Sequence, residues 1–192
     1  MTRSVFDMSI TLFRSTLSGL QVILDMSEAH MRAARQSPEG LLEARLQADM
    51  LPLAFQLGQA ASGSAGALQR IRGLSFHAEY VFESFSAARA CIDDAAAYCL
   101  SVDPADFLGM EDAEVVWTAP KVELRYTAAD YLTTHALPNF YFHSVTVYSI
   151  LRSLGVPIGK LNFLGRKGSS AGQEPRGAAL AAIEAMAGEA PR

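Results

Sequence analysis

The sequence predicts an all-α protein, a four-helix bundle, on three observations. Four segments carry a seven-residue apolar repeat in alternating steps of four and three, which lays one apolar stripe along each helix. The stretches between them hold the residues that stop helices. Half of the 192 residues are hydrophobic and 19% are charged, enough for one domain with its own core.

The first stripe reads Phe6, Ile10, Phe13, Leu17, Leu20, Leu24 and, after a gap at Ser27, Met31. Ser37-Pro38-Glu39-Gly40 is a turn signal, and Leu41 to Leu46 suits a short extra helix. The second helix is expected to open at Asp49, with Pro52 in its first turn and Gly73 closing it. Its stripe is Met50, Ala54, Leu57, Ala61, Ser64, Leu68 and Ile71, small enough in the middle for another helix to come close. The third stripe is Val81, Phe85, Ala88, Ile92, Ala95 and Cys99. A long connection follows, from Ser101 to Tyr126. Within it, Glu114 to Thr118 and Val122 to Tyr126 read as two short strands around Ala119-Pro120-Lys121, a small β-hairpin. The fourth helix starts from Thr127 with Asp130 at the third position, a capping-box-like entry. Its stripe is Ala136, Phe140, His143, Val147, Ile150 and Leu154. Pro138 is expected to kink or restart it, and Gly155 and Pro157 to end it. From Arg166 onward the chain turns to Gly, Ser, Ala and Pro. The domain is therefore drawn as residues 1–165 and a flexible tail as 166–192.

Composition excludes several function classes. The formal net charge is −4, and the one basic cluster is Arg166-Lys167, so no phosphate-neutralising patch marks a nucleic-acid partner. No apolar run approaches the roughly 20 residues a membrane helix needs. Asp7 interrupts the weak apolar N-terminus, which makes a poor signal peptide, and a cytoplasmic location is the expectation. Cys91 and Cys99 fall eight residues apart in one helix, about 12 Å along its axis, too far for a disulfide.

The segment from His135 to His143 carries the most chemistry. Asn139 and His143 are four apart and share a face where helical geometry holds, and His143 falls on the apolar stripe. Inward-facing Asn139 and His143 beside a proline kink make a polar site in the bundle. The bland alternative is a core histidine satisfied by a carbonyl or carboxylate. Asp49 is expected either to cap helix two or to meet His143 across the bundle, where the two could share a metal. Gln56 lies two turns further along the same side. Glu28 and His30 fit a solvated face, and His77 a loop. The chain has no HxxxH, ExxH or HExxH metal pair, and none of the glycine-rich nucleotide or hydrolase motifs.

Several stretches together resemble a known family. They are Asp49-Met50-Leu51-Pro52-Leu53, Tyr131-Leu132, and Ala136 through Pro138-Asn139-Phe140-Tyr141-Phe142 to His143. With them go Ile150-Leu151-Arg152 and Gly155 through Lys160 to Phe163-Leu164-Gly165. From about Val5 to Gly165 the chain resembles the uncharacterised domain-of-unknown-function family numbered one-nine-nine-three, grouped with the DinB/YfiT-like four-helix bundles. The resemblance implies an up-down-down-up bundle with one long crossover. Many DinB-like proteins carry three metal-binding histidines, and some relatives are thiol-dependent transferases and isomerases. Only His143 matches a ligand position of that superfamily. Helix two offers Asp49 and Gln56 in place of a histidine, and Val147 stands where the second C-terminal histidine would be.

Two functions follow as expectations. One is a DinB-like small-molecule or metal-binding protein. His143 and Asp49 would be its metal ligands, for zinc or nickel, with Asn139 and Gln56 as polar positioning groups and Lys160 attracting an anionic group. The other is a non-catalytic helical protein acting as a homodimer or through a partner, with His143 structural and Phe163 plugging the chain end onto the bundle.

Overall fold

The computed structural model describes residues 4–119 and 121–165. The tail expected from 166 lies outside the described residues, as does Pro120. Helix α1 runs over Val5–Ala33. Ser4 and Asp7 cap it reciprocally, each side chain accepting from the other's backbone N–H at 3.1 and 3.3 Å. The gap in its stripe is harmless, because the buried Ser27 hydroxyl donates to the Ile23 carbonyl at 2.8 Å.

The second segment departs from expectation in two ways. It does not open at Asp49. Helix α2 spans Leu53–Gly63 with Pro52 at its N-cap, and Asp49 is exposed in the turn before it. Nor does it continue unbroken to Gly73. The backbone breaks at Ser64, whose φ of −107° and ψ of −87° are non-helical. Its buried hydroxyl bonds the Ala60 carbonyl at 2.7 Å, a local bond that competes with helix propagation. Helix α3, Ala65–Ile71, resumes beyond the break, and Gly73, at φ +68°, ends it. The extra helix expected at Leu41–Leu46 is replaced by a single 3-10 turn over Pro38–Leu41.

Helix α4 is Phe85–Ser101, capped by Ser84. Val81, expected on its stripe, lies outside it and is 87% exposed. Arg14 of α1 donates to the carbonyls of Cys99 and Val102 at 2.7 and 2.8 Å, satisfying the C-terminal end of α4 with a cation, as the helix dipole favours. The expected hairpin is present. Strands β1, Glu114–Ala119, and β2, Val122–Thr127, pair antiparallel with Val115 opposite Tyr126 and Trp117 opposite Leu124. The chain then enters α5, Ala128–Asp130, which Thr127 caps as expected by accepting from the Asp130 N–H.

Pro138 does more than kink the last helix. Between α5 and α6, Leu137–Ser153, the chain forms a π-helical segment, Tyr131–Ala136. Proline has no N–H and crowds the carbonyl four residues back, and widening the turn relieves both problems. The Thr133 and Thr134 hydroxyls donate to the Ala129 and Asp130 carbonyls at 2.9 and 2.6 Å, supplying donors where the ladder changes step. A left-handed Gly155, at φ +85°, closes α6. There the Val156 N–H reaches the Leu151 carbonyl and the Gly155 N–H reaches that of Arg152.

The principal packing sets α1 against α4 and α6, and α2 against the same two helices. The first two long helices therefore stand at opposite corners, the order a long crossover allows. Phe13, Leu17, Leu57, Ile92, Phe140 and Val147 are fully buried between them, and Phe13 meets Phe140 edge to face at 5.1 Å. A short helix, α7 (Lys160–Phe163), folds back on α1. It comes so close that a Cβ on Gly19 would strike the Phe163 carbonyl. Among the described residues no helix is long and apolar enough to cross a membrane.

Candidate functional site

The structure divides the sequence-predicted residues between two places. His143, on the buried face of α6, meets Gln56 of α2, with Nδ1 and Oε1 2.7 Å apart. The Gln56 amide nitrogen donates to the Leu51 carbonyl at 2.9 Å. That carbonyl can only accept, so it fixes which end of the amide faces His143. Gln56 Oε1 is then an acceptor, and His143 Nδ1 must carry the proton. The imidazole is neutral, with the Nε2 lone pair left without a hydrogen-bond partner among the described residues. Burial among apolar side chains pushes its pKa down to about 4, in keeping with this state. Gln56 thus holds the position facing His143 that Asp49 was expected to reach.

Asn139, one turn earlier, faces a separate pocket of about 230 Å³. Its walls are Gln59, Ser62, Gly63 and Arg70 from α2 and α3, Tyr131, His135 and Ala136 from the π-helical segment, and Trp117 from β1. Three local features build it. The break at Ser64 redirects α3, so Arg70 turns back to donate to the Ser62 carbonyl and hydroxyl at 3.1 and 2.9 Å and to the Tyr131 hydroxyl at 3.3 Å. The π-helical turn rotates Tyr131 into the core, where it is 1% exposed. At 100° per residue, an unbroken helix would set Tyr131 roughly 120° around the axis from His143. The hairpin supplies the third wall. Val115, Trp117 and Tyr126 share its inner face, and Tyr126 Oη lies 3.2 Å from His135 Nδ1.

The rings form a close set. His135 lies nearly parallel to Tyr131 at 5.5 Å and tilts on Trp117 at 4.7 Å. Its pKa is lowered first by burial and then by the Arg70 charge, so it is neutral at pH 7. The Tyr131 phenol is raised, mainly by burial, although Arg70 pulls the other way, and it stays protonated. Gly63 sets the width. A Cβ there would come within 3.2 Å of the Phe140 backbone, so α2 and α6 meet in near contact beside the pocket.

The remaining expected residues lie elsewhere. Lys160 is exposed at the start of α7, away from the pocket that Asn139 faces. Among the described residues, no three of the His, Cys, Asp and Glu side chains come close enough to hold a metal ion. The donor set thus does not fit the zinc or nickel centre expected on His143 and Asp49, because the group opposite His143 is an amide. Cys99 is buried and its thiol is pushed up to about 12, so it is no nucleophile. A larger cleft, about 370 Å³, lies between α3, α4 and the segment joining them, with Glu79, Asp94 and Cys91 beside alanines and the Phe76 and Tyr98 rings.

The family model described as Domain of unknown function (DUF1993) matches residues 5–164. The chain belongs to this family. The DUF1993 chain is also similar to a solved structure, a DinB family member protein from Shewanella denitrificans. The two are 28% identical, with a TM-score of 0.71, covering 87% of this chain and 95% of that one. No curated protein matches it. A DinB-like helical fold with a small hairpin is therefore what this DUF1993 sequence encodes.

Sequence reasoning singled out Asn139, His143 and Gln56 but missed Arg70, Trp117, Tyr126 and Tyr131. It noted His135 without assigning it a role. The missed residues come from four separate elements, and no spacing in the chain joins them. The one local signal was Thr133-Thr134 ahead of Pro138, two hydroxyls placed to serve carbonyls that a proline disturbs.

Proposed function

We propose that this DinB-like protein binds a small organic molecule in the pocket between α2, α3 and the π-helical entry to α6, with the hairpin as its outer wall. The observation that carries this reading is the convergence there of Arg70, Asn139, Gln59 and His135 around an open volume of about 230 Å³. A helix break and a π-helical turn, both unfavourable in isolation, bring them together. Asn139 is a contact residue in this reading. The His143–Gln56 pair, one turn along the same two helices, locks their register and so supports the pocket.

Trp117 is the one tryptophan in the chain and lines the pocket, so its emission reports occupancy. A fragment library screened by Trp117 fluorescence, with hits mapped by amide and indole NMR shifts, should yield ligands that perturb Trp117, His135 and Asn139 together. Their affinity should fall in Asn139→Leu. Hits that cluster only in the α3–α4 cleft, or none that move the Trp117 indole signal, would sink the reading.

A second reading, homodimerisation, has one observation in its favour. Phe142 and Val145 are 58% and 48% exposed and lie three apart on the outer side of α6. Light scattering of the wild type beside Phe142→Glu tests it. A single-chain mass for the wild type at micromolar concentration removes it.

A further inference from the structure

Resting on the pocket assigned above, we infer that its ligand is a small monoanion, a carboxylate carried on a compact, flat or apolar body. Among the described residues lining the pocket, Arg70 alone bears a formal charge, and none is an Asp or Glu. Among the described residues, the hydrogen bonds of Arg70 go to neutral oxygens, of Ser62 and Tyr131. The Phe76 ring also lies near Arg70, 5.7 Å from the guanidinium carbon. Among the described residues no carboxylate pairs with it. A guanidinium has five N–H donors, so these bonds leave donors over for a ligand oxygen.

Neutral neighbours do not cancel the charge. Both titratable rings in the pocket, His135 and Tyr131, are held uncharged by burial. The described walls therefore carry one positive charge, partly withdrawn from water and paired with none of the described carboxylates. A charge so placed is stabilised by an anionic partner, and a carboxylate matches the planar fork of arginine.

Size and wall chemistry narrow the rest. The pocket is smaller than the roughly 300–1,000 Å³ typical of sites for drug-sized molecules, so the body behind the charge is compact. Trp117 and His135 set aromatic rings in the walls beside a flat or apolar body, and the Gln59 and Asn139 amides can take one further polar group. A phosphate dianion is a poor match. Among the described residues the pocket has a single cation and no lysine, and its walls hold no glycine-rich loop of backbone N–H groups.

The test is a Trp117 fluorescence titration of the full chain with benzoate, benzamide, benzylammonium and inorganic phosphate. Benzoate should saturate and bind at least about tenfold more tightly than benzamide, with benzylammonium and phosphate weaker still. Arg70→Gln should abolish the preference for benzoate, with folding checked by circular dichroism. The benzoate-to-benzamide ratio needs no variant, so it decides even if that substitution destabilises the chain. Equal binding of benzoate and benzamide would overturn the anion inference while leaving the pocket standing. Phosphate outcompeting benzoate would overturn the carboxylate assignment. If none of the four binds but neutral fragments still move Trp117, the charge argument fails alone. If no small molecule moves Trp117, the pocket reading falls with it.

Discussion

Gln56 is a long polar side chain in a helix whose other inward residues are apolar or small, and it is only 3% exposed. It is tolerated because both ends of its amide are satisfied, by Leu51 and by His143. Gln56→Leu keeps the volume but leaves His143 with a buried N–H and no acceptor. That should cost about 1–3 kcal/mol, read as a lower urea midpoint at unchanged slope; no loss would mean that water replaces the amide. Acid exposes the same pair. The unfolded chain protonates His143 near the ordinary histidine value of about 6.5, whereas the folded protein resists until about 4. Stability is thus retained above pH 6.5 and lost as pH falls through that interval, by on the order of 3 kcal/mol. His143→Asn keeps a donor toward Gln56 but cannot titrate, so its urea midpoint should fall less between pH 7 and pH 4. Parallel curves for wild type and variant would show that the ring charges without cost.

Helix α6 and the π-helical turn before it show how one proline shapes a whole element. Pro138 does not end the helix; it shifts the ladder upstream, and the shift carries Tyr131 and His135 to the pocket. Their roles were not legible in a periodicity reading, because a scan at 3.6 residues per turn assumes that the phase is kept. Helix α2 answers with small residues. Gly63 lies against the Phe140 backbone at a distance that leaves no room for a branched side chain. Gly63→Leu should therefore lower the melting temperature and disturb Trp117 emission together, by the about 1–3 kcal/mol typical of overpacking. A stable variant with unchanged Trp117 emission would show that the two helices are free to part there. The expected start of helix two failed for a related reason. Asp49 has the right chemistry for an N-cap, but the chain turns once more before Pro52, whose fixed φ suits the entry.

Across the whole molecule, the bundle and the hairpin differ in how much holds them. The bundle buries Phe13, Leu17, Leu57, Ile92 and Val147 completely, each worth about 1.5–3 kcal/mol. The hairpin has two strands, and Val116, Val122 and Leu124 remain exposed on it. Two strands alone are marginal in water, and these stay folded through Val115, Trp117 and Tyr126. Amide exchange should therefore be slowest in the middle turns of α1, α2, α4 and α6, with the hairpin opening earlier as a separate unit. Equal protection of hairpin and bundle would mean that they unfold together. Early opening would give the pocket a way in, since Trp117 is its outer wall.

The sequence by itself determined the helical class, most positions of the four stripes, the hairpin in the long connection, the cap at Thr127 and the family. These are properties of neighbouring residues, set by side-chain periodicity and local backbone chemistry, and so they are written along the chain. It also marked Asn139, His143 and Gln56 as polar groups turned inward. Only the tertiary structure decided that His143 pairs with Gln56 and that Asn139 serves another pocket. That pocket depends on Arg70, Tyr131, His135 and Trp117, which are as much as 65 positions apart (70 to 135). Their meeting is set by a helix break, a π-helical turn and the docking of a hairpin, and each of these depends on what the rest of the chain packs against it.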